Sequence, residues 1–61
     1  MKRRVLLAHL KKHGCRFLRE GGRHTVYVNP TLKKVSTVPR HTEIPDNLAR
    51  KICKDLGIAH P

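Results

Sequence analysis

The reactive side chains of this sequence are few: five histidines, two cysteines and four carboxylates, Glu20, Glu43, Asp46 and Asp55. The carboxylates are scattered singly, which argues against two-metal hydrolysis, a chemistry that gathers several acidic ligands around ions about 4 Å apart. Cys15 and Cys53 have no C-x-x-C neighbour, so neither a zinc motif nor a redox motif can be built from them. They are expected to be buried apolar thiols, a disulfide between them being disfavoured in a reducing compartment. No Ser-His-Asp arrangement, P-loop or H-E-x-x-H motif is present. The candidates left are the histidines and the cations around them, with no metal and no cofactor expected.

Among the histidines, His24 in Gly21-Gly22-Arg23-His24 stands out, because it follows a glycine turn and opens a strand. Alternation places it with Val26 and Val28, at the margin of the core. An imidazole held there can take and give a proton near neutral pH. RNA cleavage is a reaction that one such group can assist without metal, since the 2′-hydroxyl already lies beside the phosphate it attacks. General acid-base help contributes roughly 10²- to 10⁴-fold, and Arg16, Arg19 and Arg23, the nearest cations in sequence, can stabilise charge on the phosphate. DNA lacks the internal nucleophile. The plainer reading of a strand-end histidine is a structural hydrogen-bonding residue. His41, in Val38-Pro39-Arg40-His41, is a second candidate to assist or contact phosphate, but as a loop residue it is expected to be structural or to face a partner. His9 is expected to face solvent, His13 to act as a helix-end cation, and His60 to lie in a frayed tail.

Positioning these residues requires five elements. Val5, Leu6 and Leu10 recur at near-helical spacing, which predicts a helix over residues 3–13 that stops at Gly14. A short strand is predicted over 15–20, with Gly21-Gly22 as a two-residue hairpin turn supplying positive φ angles. The return strand runs over 23–29, with Val26 and Val28 on one face and Tyr27 on the other. A third strand is predicted over 34–38, closed by Pro39, and residues 40–44 form a loop. Pro45-Asp46 opens a second helix, in which Leu48, Ala49, Ile52, Cys53 and Leu56 make one apolar stripe and Gly57-Ile58 a cap. The predicted fold is therefore α+β in the order α-β-β-β-α, one domain, with both helices on one face of a three-stranded antiparallel sheet.

Fourteen Lys and Arg against four Asp and Glu give a formal net charge of +10. Solubility alone needs about 2 to 8 for a small domain, so a polyanionic partner is expected. No apolar run approaches the roughly 18 residues of a membrane-spanning helix. Residues 1–12 have the basic start of a signal peptide, but His9, Lys11 and Lys12 break its apolar stretch, so a cytoplasmic location is expected. With only Phe17 and Tyr27 as aromatics, a platform for stacking bases is poorly supplied; Tyr27 could stack one base, and Phe17 is expected in the core. A 61-residue chain buries only about 60% of its unfolded surface, which leaves room for stabilisation by a protein partner.

Four stretches carry a family resemblance: Leu10-Lys11-Lys12-His13-Gly14-Cys15, Arg19-Glu20-Gly21-Gly22-Arg23-His24-Thr25-Val26-Tyr27, Val38-Pro39-Arg40-His41, and residues 48–58 from Leu48 to Ile58. In their order and spacing the sequence resembles the HicA-type (YcfA-like) toxins of bacterial toxin-antitoxin pairs. The resemblance implies a fold like a double-stranded RNA-binding domain and an mRNA interferase that cleaves transcripts and arrests translation until a HicB-type antitoxin binds it. It places the family's catalytic histidine on His24. Arg16, Arg19, Arg23, Tyr27, Arg40 and His41 are the expected RNA contacts. Many relatives carry a small hydroxyl residue before the histidine; Arg23 either tunes substrate preference or contacts phosphate. Direct DNA contact is expected only through the antitoxin, because nothing here resembles a recognition helix. The alternatives to an enzyme are an RNA-binding module that does not cut and a basic ribosome-associated protein.

Overall fold

Glycines set where both helices end, and the structure, a computed structural model describing residues 1–61, follows the expected order. It runs α1 (Arg3–Lys12), β1 (Arg16–Gly21), β2 (His24–Asn29), β3 (Lys34–Pro39) and α2 (Asp46–Leu56). After α1, Gly14 takes φ 86°, and the Cys15 amide reaches back to the Leu10 carbonyl (2.9 Å). After α2, Gly57 takes φ 73°, and the Ile58 amide reaches the Cys53 carbonyl (3.0 Å). These backbone bonds satisfy carbonyls that a helix end leaves open. A Cβ at Gly57 would also stand 2.6 Å from Leu32 Cδ1, so that half-exposed side chain would have to move.

The chain's first residues are pinned to the loop before α2. Lys2 and Glu43 form an antiparallel bridge, with the Arg3 amide on the Thr42 carbonyl (2.8 Å) and the Ile44 amide on the Met1 carbonyl (2.8 Å). The segment expected as a plain loop thus ties α1 to α2 and buries Ile44.

The sheet has the order β1-β2-β3, antiparallel throughout. Gly21 pairs with His24, so the turn is Gly22-Arg23, one residue later than expected, and β2 begins at His24. Neither Gly21 nor Gly22 is among the residues with positive φ. This turn is built without the left-handed conformation that the Gly-Gly pair suggested.

Both helices lie on one side of the sheet, as predicted, but that side is the Tyr27 side. Tyr27, 5% exposed, belongs to the core with Leu6 and Leu10 of α1 and Ile52, Cys53 and Leu56 of α2. Thr25 and Asn29 share its face and bond both helices: Arg3 Nη2 donates to Thr25 Oγ1 (3.0 Å), and Asn29 Nδ2 donates to the Leu56 carbonyl (2.8 Å). The expectation that Val26 and Val28 point towards the helices is therefore reversed, although Val26 is itself buried, 7% exposed, on the opposite face. Both alternations of β2 are apolar enough to be buried; the Thr-Tyr-Asn set wins by placing the larger ring and two hydrogen-bonding side chains under the helices. Phe17, expected in the core, is 51% exposed, and Val5, grouped by helical spacing with the buried Leu6 and Leu10, is 47% exposed. Phe17 touches the core only edge-on, its ring 6.4 Å from that of Tyr27.

Candidate functional site

On the face away from the helices, His24, Val26 and Val28 follow one another by strand alternation. Directly paired residues share a face, so Gly21, Arg19 and Arg16 of β1 and Pro39, Thr37 and Val35 of β3 join them. Arg16 and Arg19 are three residues apart and would point to opposite faces of a regular strand. The register shifts between Phe17 and Arg19, a bulge that absorbs Leu18 as an extra residue. This bulge lets both arginines share the face that carries His24. A groove of about 390 Å³ continues past Arg19, Val26 and Thr37 across β3 to Leu48 and Lys51 of α2. It does not include His24, which stands exposed at the hairpin end.

Beneath that end runs a chain of polar contacts on the helix side. Arg3 Nε donates to the Pro39 carbonyl (2.8 Å) and its Nη2 to Thr25 Oγ1; the buried Thr25 hydroxyl donates to Glu20 Oε1 (3.0 Å). Arg40 Nη2 donates to the same Glu20 oxygen (2.9 Å) and to the Gly21 carbonyl (3.4 Å). Gly21 and Pro39 are the two residues paired with His24. Arg40 and Arg3 thus hold the backbone on both sides of the histidine. The Arg40 hydrogen bond, and then that of Thr25, keep the Glu20 carboxyl below its ordinary value, with the charges of Arg40 and Arg3 adding to the effect.

The predicted site residues divide accordingly. His24, Arg16 and Arg19 share the open face, and Arg23 sits exposed in the turn beside His24. Arg40 and His41 follow Pro39 at the same end of the sheet, Arg40 already engaged by Glu20. Tyr27 does not join them: a ring 5% exposed within the core offers no face to a base, which corrects the expectation of stacking there. His9, expected to face solvent, is half-buried; its Nε2 lies 2.9 Å from the Ala59 carbonyl and anchors part of the tail, while its ring stands 4.4 Å from that of His13.

Sequence alone assigns no role to Arg3, Glu20 or Thr25. The pairing of Glu20 with Thr25 becomes readable only when the turn is set at Gly22-Arg23. Burial pushes the Cys15 and Cys53 thiols up, Cys15 adding to the effect at Cys53, away from the reactive thiolate form. Nowhere do three or more His, Cys, Asp or Glu side chains gather in a way that could hold a metal ion. No helix is long and apolar enough to cross a membrane.

No curated protein and no solved structure matches the chain. A family model, that of the HicA toxin of bacterial toxin-antitoxin, matches residues 3–58. With the α-β-β-β-α order and the span of that match, the chain belongs to the HicA toxin family of bacterial toxin-antitoxin systems.

Proposed function

We propose that this toxin is an endoribonuclease that cleaves mRNA, with His24 as its general acid-base group. The observation that carries this reading is the shared face of His24, Arg19 and Arg16, an exposed imidazole and two exposed arginines on the side of the sheet opposite the helices. In the reaction the 2′-oxygen bonds to phosphorus and the bond to the 5′-oxygen breaks, leaving a 2′,3′-cyclic phosphate and a free 5′-hydroxyl. The 2′-hydroxyl loses a proton and the 5′-oxygen gains one. His24 takes the first or supplies the second, and the arginines offset charge on the phosphate.

Family membership brings an antitoxin as partner. We assign it to the HicB type and place it over the open face, where acidic side chains would meet Arg16, Arg19 and Arg23. Such a complex is expected to weaken with added salt.

A second reading has one observation in its favour: no hydrogen bond orients the His24 imidazole in the free chain, as suits an RNA-binding module that does not cut. Incubating the protein and its His24→Ala variant with a defined mRNA in excess EDTA separates the two. Wild type is expected to cleave and the variant to fall by about 10²- to 10⁴-fold, with RNA binding retained and growth arrest lost on expression. Equal cutting by both, or cutting by neither, overturns the catalytic role of His24.

A further inference from the structure

A second concavity lies at the same end of the sheet but on the side of the helices. It encloses about 300 Å³ between the first turn of α1 and the segment after β3, and its walls are Lys2, Arg3, Arg4, Leu7, Arg40 and Thr42. Four of these six residues are cations. Lys2 is paired with Glu43 and Arg40 with Glu20. Arg3 is bonded to the Pro39 carbonyl and to Thr25. Arg4 makes neither a hydrogen bond nor an ion pair. Four cations against the two carboxylates Glu20 and Glu43 leave two positive charges in excess.

Two features make this more than a solvated basic surface. The guanidinium groups of Arg3 and Arg40 are fixed by acceptors in the sheet, so their ordering cost is met on folding and a ligand need not meet it again. The concavity is also tied to the candidate active site, because Arg3 bonds the carbonyl of Pro39, the residue paired with His24, and Arg40 is the next residue along. Cations held around one opening repel one another, and an anion seated among them relieves that repulsion. Planar arginine forks match phosphate oxygens in particular.

We propose that this opening binds a backbone phosphate of the RNA strand, flanking the phosphate that reacts at His24. The substrate would then wrap the hairpin end of the sheet, with its reacting phosphate on the open face and a neighbouring one on the helix side. The nature of the anion rests on the endoribonuclease reading; the presence of an anion site rests on the cavity and its four cations.

The test uses the full chain carrying His24→Ala, so that RNA is bound and not consumed. Inorganic phosphate titrated into the ¹⁵N-labelled protein is expected to shift the arginine side-chain signals of Arg3, Arg4 and Arg40. Arg4→Ala is expected to weaken RNA binding on the order of fivefold at low salt and to lower the slope of log affinity against log salt by about 0.7, the value for one phosphate contact on a single strand. Arg4 is exposed and unbonded, so its loss leaves the fold intact. Lys11→Ala removes the same charge at the far end of α1 and is expected to change the slope by less than half as much.

Equal effects of Arg4→Ala and Lys11→Ala, or a phosphate titration that leaves Arg3, Arg4 and Arg40 unmoved, overturn the site. So does a result in which poly-glutamate shifts these signals and RNA does not, which would give the opening to an acidic protein. RNA binding through Arg4 by a wild type that cannot cut would leave this site standing and remove the role of His24. Cleavage by the wild type with full affinity in Arg4→Ala would do the reverse.

Discussion

The two faces of β2 hold the same number of side chains and use them in opposite ways. On the helix side, Thr25, Tyr27 and Asn29 are all buried, and each has a fixed partner: Arg3 and Glu20 for Thr25, the core for Tyr27, the end of α2 for Asn29. On the other side, His24 is exposed, Val26 lies buried between its paired neighbours Arg19 and Thr37, and Val28 is half-buried between Arg16 and Val35. One face specifies the fold and the other is free to carry chemistry. They are separated by a shift of one residue, and a slip of that size would exchange them completely. The contacts of Thr25 and Asn29 with the two helices are what fix the choice.

The largest expected effect comes from breaking the fixed face. Tyr27→Ala removes a buried aromatic ring, a change that typically costs about 3–5 kcal/mol, against the roughly 3–5 kcal/mol that a core of this size supplies. The variant is expected to be largely unfolded at 25 °C by circular dichroism. His24→Ala, at the adjacent exposed position, is expected to shift stability by no more than about 0.5 kcal/mol. A folded Tyr27→Ala protein would show that the two faces had been assigned the wrong way round.

A smaller effect sharpens the open face. Because the bulge at Leu18 turns Arg16 and Arg19 the same way, Arg16→Ala and Arg19→Ala are expected to weaken RNA binding by similar amounts, on the order of fivefold each at low salt, with the salt slope falling by about 0.7 in each. Arg50→Ala, on α2, is the control of equal charge. If Arg16→Ala matched Arg50→Ala and only Arg19→Ala lost affinity, the two arginines would not act on one face.

These contrasts also mark how far the sequence could be read. Element order was legible because its signals are local: Gly14 and Gly57 end the helices, Pro39 closes a strand and Asp46 opens α2. His24 was legible as a candidate because the Gly-Gly turn announces a strand start. The turn itself fell one residue away, since Gly21-Gly22 offers two settings and the one adopted needs no positive φ. The buried face of β2 was not legible, because Thr-Val-Tyr-Val can bury either alternation. The bulge was hidden because nothing in the Phe17-Leu18 pair distinguishes the extra residue. The contacts among Arg3, Glu20, Thr25, Pro39 and Arg40 join residues up to 36 positions apart and exist only once the register is set.

The smallest expected effect lies in that set of contacts, at Glu20. Its carboxyl is held below its ordinary value in the fold, first by the Arg40 hydrogen bond and next by Thr25. A group depressed in this way contributes stability that is present above its unfolded pKa and lost as pH falls through the folded one. Glu20→Gln keeps an oxygen for Thr25 and Arg40 but removes the charge. The variant should therefore melt slightly below wild type at pH 7, and the gap should close as the pH falls from about 5 towards 3. The variant will itself still lose stability over that range, because Glu43 and Asp55 are depressed in the same way by Lys2 and Lys51. Thermal melts of both proteins across that range read the difference directly. A gap that stays constant with pH would mean that Glu20 acts through packing alone, and that the hold of Arg40 on the Gly21 side of His24 does not depend on the carboxylate charge.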